Sequence, residues 1–181
     1  MIDKELPQVV YEFESVTEAL MQLLDSFPDE EFNAVPFEGS WTAGQVGRHL
    51  YKSYRGVPKL IDGPVVDSNR HPEALVATFK EAFLDFDVKM QSPDFILPEP
   101  IHYNRIQLLQ DISKVRLEII LKLKTHDLTK ICTGFQLPGA GPMTRLEWVH
   151  FMVVHTRRHN HQLQKIRSSL VVSDPLLKSL K

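Results

Sequence analysis

Apolar residues recur at helical intervals along most of this chain, and strand-like alternation is essentially absent. From about Gln8 to Phe27, residues Val9, Val10, Phe13, Val16, Leu20, Leu23 and Leu24 share one face and leave the other wet, which predicts an amphipathic helix. Pro28, Pro36 and Gly39 then mark a linker. A second helix is expected to open at Thr42, with Gln45 three residues on to complete a capping box. It runs through His49 and Tyr51 to about Val57, where Pro58 disturbs it and Gly63-Pro64 stops it. Pro72 reads as the first position of a third helix, with Leu75, Phe79, Phe83 and Phe86 on one side. After a loop broken by Pro93, Pro98 and Pro100, a long helix is predicted from about Asn104 to Lys124. Its buried stripe is Ile106, Leu109, Ile112, Val115, Ile119 and Leu123. His126 to Met143 reads as a glycine- and proline-containing loop, with a short extended piece at Ile131 to Leu137. The last helix opens on a second capping box, Thr144 with Glu147, and continues to about Leu170, leaving a short tail, VVSDPLLKSLK, frayed or lightly docked. The sum is an all-α fold: a four-helix bundle with an additional short helix, in a single domain over residues 1–181.

Composition fits that architecture and narrows the function. At 181 residues the chain suits one domain better than two, and a 43% hydrophobic content is enough to fill a core. A formal net charge of -2 argues against a basic nucleic-acid module. No apolar run approaches the roughly 18 to 20 residues a membrane span needs. The acidic, interrupted N-terminus MIDKELPQVVYEFES does not read as a signal peptide. The lone Cys132 leaves no internal disulfide and no cysteine-based zinc site. A soluble, cytoplasmic protein acting on a small molecule is expected, with no nucleic-acid or membrane partner.

Eight histidines are the unusual feature. His155 and His159 sit four apart, so they project from one face of the last helix about one turn apart. Trp148, Met152, His155, His159, Gln162 and Ile166 keep the 3.6 period, which aims the pair inward along an apolar stripe. Imidazoles so placed need polar partners or a metal. His49 lies on the second helix, on a face shared with Trp41 and Gln45. Three neutral imidazoles can hold one divalent ion, zinc and nickel ahead of iron, and leave positions open for water or substrate. The alternative readings are a surface histidine pair and a core His49 bonded to a backbone carbonyl.

The stretch Trp41-Thr42-Ala43-Gly44-Gln45-Val46-Gly47-Arg48-His49-Leu50 resembles the first signature of the DinB/YfiT-like superfamily. The stretch from His155 to Leu163, with its histidine pair followed by Gln162, is similar to the second. The order and separation of the two signatures match as well, and the helical layout extends the likeness over nearly the whole chain. The resemblance implies metal ligands at His49, His155 and His159 at one end of a four-helix bundle. It also implies either thiol transfer or isomerisation with a low-molecular-weight thiol co-substrate, as in relatives that depend on bacillithiol or mycothiol, or metal-dependent hydrolysis. A homodimer is a further implication. Two departures stand out: Thr156 where members often carry Glu, and His161 where they often carry Gly.

Other residues carry two readings each. Gln45 and Gln162 are candidates to orient an imidazole or a water, or are ordinary polar residues at a helix interface. His161 is a candidate proton carrier beside the site. Arg157 and Arg158 are candidate carboxylate anchors for a substrate or thiol, or part of a solvated basic face. His71, His102, His126 and His150 read as background, His71 as a helix cap, and Cys132 as a buried thiol. No nucleophile elbow, phosphate-binding glycine loop or dinucleotide fingerprint is present. No Asp or Glu falls beside the ligand positions, which suits thiolate chemistry or no catalysis better than base-assisted hydrolysis. The alternative to an enzyme is therefore a non-catalytic helical interaction module with a structural or vestigial metal site.

Overall fold

The computed structural model describes residues 7–173 and is mostly helical. Helix α1 spans Gln8–Asp25 and the short α2 spans Asp29–Phe32, inside the expected linker. Helix α3 covers Ala43–Tyr54 and α4 Val57–Asp62. Strand β1 is Val65–Val66, α5 is Val76–Leu84, and a single 3-10 turn occupies Asp94–Ile96. Helix α6 runs Arg105–Thr125, β2 is Ile131–Cys132, and α7 runs Arg145–Ser173. Residues 1–6 and the end of the expected tail, from 174, lie outside the described residues. Among the described residues no helix is long and apolar enough to cross a membrane.

Both capping boxes form. Thr42 Oγ1 accepts the Gln45 N–H at 3.1 Å while Gln45 Oε1 accepts the Thr42 N–H at 2.9 Å. Thr144 and Glu147 repeat the exchange at 3.0 and 2.9 Å. Each box satisfies amide donors that the first helical turn leaves without partners, so both histidine-bearing helices start at fixed points.

Four expected elements are drawn differently. Helix α3 ends at Tyr54, and Pro58 starts α4 instead of only disturbing α3, because a first-turn residue needs no N–H. Residues 72–75 form turns with Ala74 N–H bonding His71 O and Val76 N–H bonding Glu73 O, so α5 begins four residues after Pro72. In α6 the buried stripe steps back from Ile112 to Leu108. Ile106, six residues before Ile112 and so about 120° round the helix, is 62% exposed. In the expected extended piece only Ile131–Cys132 forms a strand, antiparallel to Val66 and Val65, with isolated bridges from Ile131 to Thr144 and from Leu137 to Gly141.

Helix α1 packs against α6 and α7, α3 against α6 and α7, and α5 against α7. Val10, Phe13, Leu20, Val46, Leu50, Ile112, Ile119, Val149 and Leu163 are fully buried between them. Gly47 lets α3 approach closely, since a Cβ there would sit 3.0 Å from Leu108 Cδ2 and 3.2 Å from Leu24 Cδ1. A buried pin joins α3 to α7: Tyr54 Oη meets Thr156 Oγ1, which also donates to Met152 O at 2.6 Å. Ile61 O at the end of α4 accepts from Arg145 at the start of α7. The α3–α4 segment therefore runs antiparallel to α7, and His49 lies opposite the middle of that helix.

Candidate metal centre

Helix α3 supplies His49 and α7 supplies His155 and His159, and their ligating nitrogens all lie within 4.8 Å of one another. His155 Nε2 is 3.0 Å from His49 Nε2 and 3.1 Å from His159 Nε2. The tautomers follow from the opposite edges of two rings. His49 Nδ1 is 3.0 Å from Ile96 O, an acceptor, so it carries the proton. His159 Nδ1 is 2.8 Å from Gln162 Oε1, so it does the same. Both Nε2 atoms then present lone pairs toward His155 Nε2, which has at most one proton to offer the two of them. One lone pair is left without a donor in a buried place, and a divalent cation is the group that satisfies converging imidazole lone pairs. The donor set fits such an ion.

Burial sets the charge of the cluster. The three residues are 1%, 6% and 8% exposed in chain order. Loss of solvent lowers the His49 pKa to about 4 and the His159 pKa to about 3. The same cause, reinforced by its two neighbouring imidazoles, holds His155 well below the ordinary histidine value. All three are neutral at pH 7, the form in which imidazole binds metal.

Rings and a strap hold the imidazoles in place. Trp41 lies 5.1 Å from the His49 ring and near-parallel to His159, while Phe151 stacks on His155 at 5.4 Å. The 3-10 turn, whose last residue carries the Ile96 carbonyl, and the strap after it are fastened to α3. Lys52 Nζ donates to Leu97 O at 2.5 Å, and Lys52 and Arg48 both pair with Glu99 at 3.0 Å. The Arg48 hydrogen bond is the main reason the Glu99 carboxyl falls to about 2. The Ile96 carbonyl has no side-chain signature, and the prolines around it read only as breaks in regular structure.

The other candidates are placed as follows. Gln162 bonds His159, as above, whereas the Oε1 of Gln45 is committed to the α3 cap. His161 stacks on Phe86 at 4.3 Å. Arg158 donates to the carbonyls of Phe83, Asp85 and Val88, so its guanidinium anchors the segment after α5. Arg157 pairs with Glu12 of α1 at 2.9 Å. His71 accepts the Glu73 N–H at 3.2 Å, and His150 pairs with Glu73 at 2.7 Å. Cys132 is buried, which pushes its thiol pKa up. Glu147 does more than cap: fully buried, it also pairs with Arg70 and accepts the Leu75 N–H at 2.9 Å. Burial alone would raise its carboxyl pKa, and these partners lower it on balance.

All three histidines line a cleft of about 1360 Å3. The model of the DinB superfamily matches residues 12–163, a span that runs from α1 into α7 and contains every histidine of the cluster. The chain belongs to the DinB superfamily. It is also similar to the uncharacterized protein YuaE of Bacillus subtilis (strain 168), 23% identical over 155 residues, which cover 81% of this chain and 90% of that protein. No solved structure matches it significantly. Within the DinB superfamily chain, the cluster joins the two signature segments found in the sequence, one on α3 and the other on α7.

Proposed function

We propose that this DinB superfamily protein is a metal-dependent enzyme of the hydrolase or thiol-transferase type, built as a four-helix bundle, with His49, His155 and His159 as the ligands. The observation that carries the reading is the convergence of three buried, neutral imidazole nitrogens on the wall of an open cleft, two of them turned by Nδ1–H bonds so that lone pairs face inward. A divalent ion held there supplies Lewis acidity that lowers the pKa of a bound water or thiol toward neutrality. The chain's own residues orient and exclude: Ile96 O and Gln162 fix the rings, and Trp41 and Phe151 keep water from their faces. The ligating group contains no carboxylate among the described residues; the acidic side chains of the cleft, Asp87 and Asp94, stand outside it. That favours a thiol, which needs no separate base once its pKa is lowered, over water.

The test is metal content of the untagged protein by plasma mass spectrometry, beside His49→Ala. About one equivalent of zinc, nickel or iron in the wild type, lost in the variant, is the expected result. No metal after all three are offered refutes the reading and leaves the interaction module.

A further inference from the structure

The cleft that reaches the histidines gathers aromatic rings out of proportion to the chain. Seven of its ten phenylalanines and both tryptophans line it. Five of these rings form an unbroken series. Phe95 meets Phe135 at 5.9 Å, Phe135 meets Trp148 at 6.0 Å, Trp148 meets Phe151 at 5.8 Å, and Phe151 meets Phe83 at 5.3 Å. Phe151 is also the ring stacked on His155, so the series ends at the candidate metal centre. Phe95 and Phe135 are 51% and 43% exposed. Exposed rings gathered in a concave wall mark a binding site more often than a structural need.

The charges of the same cleft have a sign. Five basic side chains line it against two acidic ones, Asp87 and Asp94, although the whole chain carries -2. Lys52 and Arg158 are already engaged with Glu99 and with backbone carbonyls. Arg55 is exposed and its guanidinium has no ion pair or hydrogen bond among the described residues. It lies six residues past His49, about 9 Å along the helix axis and about 120° round it, at the C-terminal end of α3. Arg55 follows Tyr54, which meets Thr156 in the histidine stretch of α7, and it lines the same cleft as the rings.

The geometry points to a small aryl carboxylate as the ligand of this cleft, its rings against Phe135, Trp148 and Phe151 and its carboxylate gripped by Arg55. Edge-to-face aromatic walls favour a flat aromatic guest over an alkyl chain, and a free guanidinium grips a carboxylate with two hydrogen bonds. A two-ring molecule held at Arg55 would extend toward the histidines, which line the same cleft. This assignment names a substrate class for the centre proposed above and rests on that reading for its meaning in catalysis. The binding itself does not need the ion.

Isothermal titration calorimetry on the full chain tests it, with biphenyl-4-carboxylate, biphenyl-4-methanol and decanoate as probes, each against EDTA-treated and zinc-supplemented protein. Biphenyl-4-carboxylate should bind both forms with a Kd below about 1 mM, and more tightly than the other two probes. Arg55→Ala, at an exposed position, should weaken the carboxylate about tenfold and leave the alcohol unchanged. Phe135→Ala should weaken both aromatic probes. Absence of binding by biphenyl-4-carboxylate, equal affinity for decanoate, or an Arg55→Ala protein indistinguishable from wild type overturns the proposal. Aryl binding in a protein that takes up no metal supports the cleft and refutes only the metal reading, so the two failures are separable.

Discussion

Acidifying the metal-free protein should destabilise it strongly between pH 7.5 and 5. In the unfolded chain the three histidines titrate near 6.5, whereas in the folded chain His49 and His159 wait until about 4 and about 3. Below pH 6.5 the unfolded state therefore takes up protons that the folded state refuses, and stability falls as pH drops. At pH 5 the difference amounts to about 2 kcal/mol for each of these two rings, or about 4 kcal/mol together. His155 is shifted in the same direction and adds to it. For a chain of this length 1 kcal/mol moves the melting temperature by about 2–4 °C, so the fall should be about 8–16 °C.

The assay is thermal unfolding followed by circular dichroism in EDTA at pH 7.5, 6.5, 5.5 and 5. The window separates these rings from the carboxylates. Glu99 and Glu147 have lowered pKa values, so their contribution is present above about 4.5 and lost only as the pH falls below that. His49→Gln should recover about 2 kcal/mol of the drop, or about 4–8 °C, because one of the three titrating rings is gone. A wild-type change below about 3 °C across the window would refute the reasoning, since it would mean that the cluster is open to protons in the folded state.

Gln162→Leu keeps the side-chain bulk but removes the acceptor for His159 Nδ1–H. It should cost about 10–100-fold in zinc affinity by chelator competition, and an unchanged affinity would show that Trp41 alone sets the ring. Glu147→Gln removes the charge between Arg70 and the amides of Thr144 and Leu75. Its expected cost is about 2–3 kcal/mol, seen as a melting temperature lower by about 4–12 °C; no change would mean that Arg70 finds solvent instead.

Local signals were legible and long-range ones were not. Both capping boxes could be read because each closes within four residues, and the i, i+4 spacing of His155 and His159 is a property of one helix. Proline was ambiguous: Pro58 marks a break and a start at once, and which dominates depends on where α4 packs. Pro72 missed its helix because Glu147, seventy-odd residues away, draws the Leu75 amide to itself. Ile106 was assigned inward by a stripe that the first turn of α6 does not follow. In the site, the ligands carry a side-chain signature, whereas the Ile96 carbonyl that fixes His49 belongs to a 3-10 turn that only the fold brings near. Arg158 read as a free cation for the same reason: nothing in its neighbours along the chain announces three carbonyls from the end of α5.

The fold carries the histidine cluster at a cost, and that cost separates a working site from a structural one. Tyr54 with Thr156, Gly47 against Leu24 and Leu108, and Asn160 Nδ2 on Val16 O at 3.1 Å join the helices without any ion. A structural metal would be needed where such contacts are few, as in small metal-folded domains. Here the apolar contacts are many, and it is the imidazoles that are the misfit. His155 sits between Phe151 and Phe83, an environment suited to an aliphatic side chain. His155→Leu should therefore abolish zinc binding yet raise the melting temperature of the metal-free protein at pH 5. The ring's share of the acid penalty, which comes from burial and its two neighbouring imidazoles, goes with it. Stability gained where a ligand is lost is the mark of residues kept for function. A variant that melts at or below the wild type at pH 5 would show that the cluster supports the fold.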